Sequence, residues 1–287
     1  MTKTIGNPLS WGARNVEAAG HSLSEAARHA GGDDATQMPT VNTIGWQDIR
    51  AALRLGVADF AALRTDVIAA CLLYPVIGAC LIWLASHQGI LPLAFPLVSG
   101  FALVGPVAAI GLYELSRRRE AGESPSWIDT FSVVHAPGFG AIVLLAIGLA
   151  GWFVLWLLAA WILHTMTRGA QVYAGSADFV REVLTTSSGW VMILIGVPLG
   201  FFFAFVALAI SVVTFPLLID RDLGLPKAVV TSVHLTRQNP VTVLFWGAVV
   251  TAGLVIGAVP MLLGLAVTLP ILGHATWHLY RRAVTWS

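Results

Sequence analysis

The chain alternates between long apolar stretches and short charged segments. No Asp, Glu, Lys or Arg occurs in residues 67–113, 130–167, 183–219 or 238–280. A helix that crosses the hydrocarbon core of a bilayer needs about 20 apolar residues. Each stretch is therefore long enough for one or two crossings, which is typical of a protein that passes through the membrane several times.

These stretches predict six transmembrane helices. The first is interrupted by Ser86, His87 and Gln88 and so predicts two helices, whereas the second and third predict one helix each. The fourth predicts either two short helices that turn near Pro260 or one long bent helix. The predicted spans are 67–86, 91–114, 139–164, 189–217, 241–258 and 261–279.

The polar N-terminal region divides into two parts. Residues 1–45 contain no apolar run, so they predict a disordered cytoplasmic tail and no signal peptide. Between residues 46 and 63, large apolar residues recur at helical spacing, namely Ile49, Leu53, Val57 and Phe60. This stripe predicts either an amphipathic helix lying in the membrane interface before the first span or a helix packed on the spans. At the other end, residues 283–287 predict a short tail.

Composition predicts the fold class and argues against several kinds of function. Charged residues make up 11% of the chain and hydrophobic residues 57%, whereas about 25% of a soluble domain is charged. The net charge of +1 offers no basic surface for nucleic acid. Two cysteines exclude a disulfide scaffold. We predict an all-α, polytopic transmembrane helical bundle.

The distribution of basic residues predicts the orientation. With six spans and a cytoplasmic N-terminus, 14 of the 16 Lys and Arg lie on the cytoplasmic side, and Arg168 and Arg181 lie outside. That distribution follows the positive-inside rule. A five-span arrangement would instead place Arg281 and Arg282 outside, so we prefer six spans with both termini in the cytoplasm.

His274 and His278 are the candidate metal ligands. They are four residues apart on the last predicted helix, so both rings project from one face. Neutral imidazole binds haem iron, copper or zinc, and His135 and His234 are predicted near the same membrane side. The alternative is that both rings form local hydrogen bonds at the membrane interface. His164 is predicted at the opposite end of its helix.

Charged residues and motifs indicate little catalytic chemistry. Three carboxylates at span ends are predicted to form local ion pairs: Glu114 with Arg117, Asp66 with Arg64, and Asp220 with Arg221. No phosphate-binding loop, HExxH or GxSxG motif occurs, so nothing argues for an enzyme. The GxxxG spacings at 196–200 and 253–257 predict close helix packing.

A weak internal repeat favours a transport role. Residues 102–118 and 266–282 share a proline, an aromatic residue, a leucine and an Arg pair in the same order. The two segments are either a duplicated hairpin or convergent membrane-interface sequences. Prolines within spans free backbone carbonyls that can line a cavity.

Three blocks of sequence resemble a known family. They are FPLVSGFALVGPVAAIGLYELSRRREAGE (95–123), FPLLIDRD (215–222) and PILGHATWHLYRR (270–282). These blocks resemble a bacterial family of predicted integral membrane proteins, domain of unknown function 2189, over about residues 46–282. The resemblance implies a multi-helix protein of the bacterial inner (cytoplasmic) membrane and implies no catalytic residue.

Three functions are consistent with these features. The first is a non-enzymatic scaffold, accessory or assembly factor, because catalytic signatures are lacking. The second is a carrier for a small or amphipathic solute. The third is a haem- or copper-binding accessory protein of the respiratory chain that uses His274 and His278. The expected partners are the lipid bilayer and other membrane proteins.

Overall fold

A computed structural model describes residues 37–71, 75–80, 83, 91–136, 138–169, 173 and 175–286. The helices that we number are α1 (Trp46–Cys71), α2 (Ala94–Ala108), α3 (Ile110–Glu120), α4 (Phe139–Arg168), α5 (Ser176–Thr185), α6 (Ser187–Ser211), α7 (Thr214–Asp220), α8 (Leu225–Gln238), α9 (Pro240–Ala258) and α10 (Leu265–Ala283). Residues 75–80 are also helical, and 3-10 helices cover Leu91–Leu93 and Trp127–His135. Two short strands are β1 (Thr40–Val41) and β2 (Val284–Thr285).

The all-α membrane fold is confirmed. Within the described part of the chain, three helical segments are long and apolar enough to cross a membrane: Phe139–Arg168, Ser187–Asp220 and Pro240–Ala258. Large apolar side chains on these segments are exposed, for example Val154, Leu194 and Val255. Exposed apolar side chains are favourable where the surrounding medium is lipid rather than water.

Several predicted spans differ from the helices in detail. The predicted span 91–114 is divided at Ala109, and its second half continues as α3 to Glu120. The predicted span 189–217 corresponds to α6 and α7, which are separated at residues 212–213. The segment 238–280 is a hairpin, since Met261 and Leu262 adopt positive φ angles in the turn between α9 and α10. Most of the predicted span 67–86 lies outside the described residues.

Helix α1 packs through a face that the apolar stripe did not predict. Its buried positions are Ile49, Ala52, Gly56, Asp59 and Leu63, which recur every three or four residues and face α10. Val57, which the stripe placed on the apolar face, is 48% exposed. The helix continues to Cys71. Of the two interpretations of this segment, an interfacial helix or a helix packed on the spans, its contacts with α10 favour the packed helix.

The two ends of the described chain are joined by hydrogen bonds. Strands β1 and β2 pair antiparallel, with Thr40 opposite Thr285 and Val41 opposite Val284. Residues 37–45 therefore do not belong to a disordered tail, and residues 1–36 lie outside the described part. Because the strands are paired, both ends lie at one end of the molecule, as an even number of spans requires.

A group of fully buried side chains lies at this same end. Phe215, Leu217, Leu218 and Leu223 around α7 are fully buried, and so is Tyr280 of α10. We call this region the charged layer; it comprises residues 46–63, 110–135, 214–238 and 273–285. The charged segments within residues 1–66, 114–129, 220–237 and 281–282 contribute to this layer, so their side chains meet one another here.

Candidate functional site

A close crossing of α1 and α10 positions the site. A Cβ atom at Gly56 would lie 2.7 Å from both the Ala275 amide nitrogen and the Ile271 carbonyl oxygen. Only glycine therefore permits this approach, and Ala52 and Ala275 continue the contact as fully buried small residues. One helical turn after Gly56, Asp59 is brought against the face of α10 that carries the two histidines.

Asp59 is the centre of a buried polar cluster. Its Oδ2 accepts hydrogen bonds from Ser116 Oγ at 2.7 Å and from His278 Nε2 at 2.8 Å. Its Oδ1 forms an ion pair with Arg119. The cluster therefore joins α1, α3 and α10, with a charge-assisted bond to each neighbouring helix.

His274 completes the cluster through Ser116. Its Nδ1 lies 2.8 Å from Ser116 Oγ, and the ring is fully buried. Because a carboxylate only accepts, the single hydroxyl hydrogen of Ser116 goes to Asp59, and His274 Nδ1–H donates to Ser116. The other ring nitrogen, Nε2, is buried without a hydrogen-bond partner of good geometry; the nearby Leu112 backbone interacts with this ring.

The environment keeps Asp59 ionised. Burial raises the pKa of this carboxyl, but hydrogen bonds from His278 and Ser116 and the nearby imidazoles outweigh burial and hold the pKa below its usual value. A buried charge is tolerated only when it is paired and hydrogen-bonded. All the polar contacts of Asp59 are therefore used to hold helices together.

A second network confirms one of the predicted local ion pairs. Glu114 is buried, and it accepts hydrogen bonds from Arg117 at 2.7 and 2.8 Å and from Arg118 at 2.8 Å. Ser132 Oγ also donates to Glu114, at 3.1 Å. These bonds tie α3 to the 3-10 helix at Trp127–His135.

The predicted pairing of Asp220 with Arg221 is weak, because their closest approach is 4.0 Å. Asp220 instead accepts a hydrogen bond from Tyr280 Oη at 2.7 Å. The third predicted pair, Asp66 with Arg64, involves side chains outside the described set. Farther along α3, Glu120 binds Trp277 Nε1 at 2.9 Å and Arg281 Nε at 3.0 Å. The end of α10 is thus held by carboxylates from three other helices.

The other predicted residues lie away from this cluster. His135 and His234 are exposed, and within the described part of the chain neither one forms a hydrogen bond or ion pair with His274. His164 is buried beside Tyr173, at the end of α4 where Arg168 pairs with Glu182. In the described part of the chain, no three His, Cys, Asp or Glu side chains are arranged to hold a metal ion.

The glycine pairs pack as their spacing predicts. A Cβ at Gly196 or Gly200 would lie 3.2 Å from a side chain of α4. At Gly253 the nearest side-chain atom belongs to Leu272 of α10, at 2.9 Å. Both GxxxG segments therefore lie at close helix–helix contacts.

An apolar cavity of about 560 Å³ lies on the side of α10 opposite to His274 and His278. Each surrounding helix contributes to its wall, for example through Pro106, Tyr113, Leu208, Leu254 and Leu272. The cavity lies among transmembrane segments, and its volume is in the range of about 300–1,000 Å³ that is typical of ligand pockets.

The serine and threonine hydroxyl groups of the cavity wall are already satisfied. Ser211, Thr251 and Thr276 each donate to a carbonyl oxygen four residues earlier in the same helix, at 2.6, 2.8 and 2.7 Å. Such hydroxyls have no hydrogen left to donate to a ligand. The cavity therefore offers apolar surface, which suits a hydrocarbon chain and disfavours ordered water.

The cluster is not arranged for nucleophilic catalysis. Ser116 and His274 are fully buried, and the Ser116 hydrogen points to a carboxylate rather than to an imidazole acceptor. A nucleophile must reach its substrate and be activated by a base. The geometry instead locks α1, α3 and α10 together at one end of the cavity.

Sequence reasoning identified the two histidines but missed Asp59 and Ser116. The signal that could have found Asp59 is the helical spacing of Ile49, Ala52 and Gly56, which places residue 59 on the same face. The apolar stripe consists of large residues and therefore lies on a neighbouring face of the helix, whereas the packed face carries alanine and glycine. Nothing in the local sequence distinguishes Ser116 from an exposed serine.

Comparison with known proteins supports the membrane assignment. No curated protein and no solved structure matches the chain. A family described as "predicted integral membrane protein (DUF2189)" matches residues 94–220. The match contains the block at 95–123, reaches into the block at 215–222, and does not include the block at 270–282. The resemblance inferred from these blocks is thus confirmed over residues 94–220, which are similar to this family of predicted integral membrane proteins.

Proposed function

We propose that this protein binds the hydrocarbon chain of an amphiphilic membrane molecule in the cavity between α2, α3, α6, α9 and α10, without catalysing a reaction. The observation that carries the proposal is an apolar cavity whose serine and threonine hydroxyl groups are satisfied within their own helices. Of the functions that the sequence left open, this one corresponds to a carrier for an amphipathic solute.

Position and access support a ligand taken from the bilayer. The cavity wall includes Phe201 and Leu244, whose side chains are also exposed on the outer surface of α6 and α9. A hydrocarbon chain that enters from the bilayer leaves one apolar medium for another. The gain therefore comes from close packing in a preformed site rather than from removal of water.

A scaffold or assembly role is the second candidate. The charged layer favours it, because α10 is bonded there to α1, α3 and α7 through Asp59, Glu120 and Asp220. A layer fixed in this way presents a rigid surface to another membrane protein. Haem or copper binding at His274 and His278 stays a prediction.

For the location, we propose the inner membrane with both termini in the cytoplasm. The 14 Lys and Arg on one predicted side and the pairing of β1 with β2 support this orientation. A reporter that works only in the cytoplasm, fused after Ser287, should be active. An inactive reporter would reverse the orientation or require an odd number of spans.

Photo-crosslinking tests the ligand proposal. The purified protein is incubated in detergent with a photoactivatable fatty acid, and the labelled peptides are identified by mass spectrometry. We expect labelling of cavity residues on α6 and α9, reduced at least fivefold in Ala204→Trp, which fills the cavity.

The matched control is Ala150→Trp. Ala150 is an exposed alanine on α4 that does not line the cavity, so labelling should be unchanged. Labelling confined to lipid-facing residues, or equal labelling in the two variants, would contradict the proposal and leave the scaffold role.

A further inference from the structure

We infer that the 3-10 helix at Trp127–His135 is a membrane anchor, whose apolar face inserts between the headgroups and acyl chains of the bilayer. Its exposed side chains are large and apolar: Ile128 is 61%, Phe131 64% and Val134 52% exposed. Trp127 adds a fourth exposed apolar side chain and packs edge-on against Phe131. A soluble surface has no reason to display these four groups together.

The three-residue period of a 3-10 helix explains why the exposed apolar side chains share one edge. In such a helix, side chains three residues apart are eclipsed, so Ile128, Phe131 and Val134 form one edge. Asp129 and Ser132 form the next edge, and Val133 is buried on the third. The nine residues are thus amphipathic with the period of the helix that they adopt.

The polar edge fixes the direction of the apolar edge. Asp129 forms an ion pair with Arg118 at 3.1 Å, and Ser132 donates to Glu114 at 3.1 Å. Gly111 permits the approach of α3, because a Cβ there would lie 2.8 Å from the Thr130 Cβ. With the polar edge held against α3, the apolar edge faces away from the charged layer.

The position of the 3-10 helix indicates that lipid covers its apolar edge. The helix ends at His135, four residues before the membrane segment that begins at Phe139. Its apolar edge is therefore close to the membrane surface. Tryptophan is enriched at this depth, where its ring meets both headgroups and acyl chains.

Fluorescence quenching of a site-specific label tests this inference. In a background with Cys71 and Cys80 replaced by serine, Phe131→Cys is labelled with an environment-sensitive fluorophore and reconstituted into phosphatidylcholine vesicles. We expect at least threefold stronger quenching by a lipid carrying a nitroxide near its headgroup than by aqueous iodide. Ile128→Cys provides a second position on the same edge, in case the Phe131 variant does not fold.

Ser124→Cys is the matched control. Ser124 is exposed in the same connection between α3 and the 3-10 helix, and its label should be quenched by iodide and not by the nitroxide lipid. Iodide quenching of the labels at 128 and 131 equal to that at 124 would overturn the anchor. A label shielded from both quenchers would also overturn it and would indicate that a second protein copy covers this face.

Discussion

Substitution of Gly56 by alanine tests the contact on which the site depends. In the native helix pair, a Cβ at this position would lie 2.7 Å from two backbone atoms of α10. Non-bonded heavy atoms pack at about 3.5–4.0 Å, so α1 and α10 must separate by about 1 Å. Backbone atoms cannot rotate away as a flexible side chain does.

The loss of stability caused by separating α1 from α10 follows from the contacts between them. Overpacking of a well-packed contact costs about 1–3 kcal/mol. A 1 Å shift also lengthens the bond from His278 to Asp59, which is 2.8 Å in the native protein, beyond hydrogen-bonding distance. A hydrogen bond to a charged group contributes about 1.5–3 kcal/mol. We therefore expect Gly56→Ala to lower the free energy of unfolding by about 2.5–6 kcal/mol.

The assay is thermal unfolding of the detergent-purified protein, followed by the fraction that remains monodisperse after heating. Gly151→Ala is the control, because a Cβ there has no neighbouring atom within 4 Å. That variant should be neutral or more stable by about 0.5–1 kcal/mol, since alanine favours the helix. Equal melting temperatures for Gly56→Ala and Gly151→Ala would refute the close crossing of α1 and α10.

Three further predictions concern side chains of the charged layer. Asp59→Asn should destabilise the protein by about 2–4 kcal/mol. The pKa of Asp59 is lowered in the folded state. The stability that the Asp59 carboxylate contributes is therefore present above about pH 4 and is lost as the pH falls through the folded pKa. Below about pH 4, the melting temperature should fall more steeply in the native protein than in Asp59→Asn. Burial and the neighbouring Asp220 raise the pKa of Tyr280, so the stability that the neutral Tyr280 hydroxyl contributes is lost progressively as the pH rises above about 10. Tyr280→Phe should lower the free energy of unfolding by about 1–3 kcal/mol at neutral pH. Its melting temperature should fall less than that of the native protein when the pH is raised above about 10. Visible absorption and metal analysis of the purified protein test the haem or copper hypothesis: a Soret band or bound copper that disappears in His274→Ala or His278→Ala would support it, and a colourless, copper-free protein would contradict it.

Some of the fold followed from local properties of the sequence. The predicted spans 139–164 and 241–258 lie within α4 and α9 and end within a few residues of them. A membrane helix satisfies its backbone hydrogen bonds internally, so a long uncharged stretch specifies it without reference to the rest of the chain. The four-residue spacing of His274 and His278 likewise determined that they share a face of α10.

Other features depended on which segments meet in space. The division of the second predicted span at Ala109 allows α3 to enter the charged layer, where Ser116 and Glu114 find their partners. The pairing of β1 with β2 joins residues more than 240 positions apart. No local propensity encodes such a contact, because two-residue strands are stable only when tertiary structure brings them together.

By itself, the sequence determined a helical membrane protein, the positions of its uncharged spans and the shared face of two histidines. Only the tertiary structure decided that Asp59 is buried and bonded to Ser116 and His278, and that α3 and α10 line a cavity together with α2, α6 and α9. The physical reason is that hydropathy depends on each segment alone. The surroundings of a charge or the volume of a cavity depend instead on how closely distant helices approach, which Gly56 controls here through the side chain that it lacks.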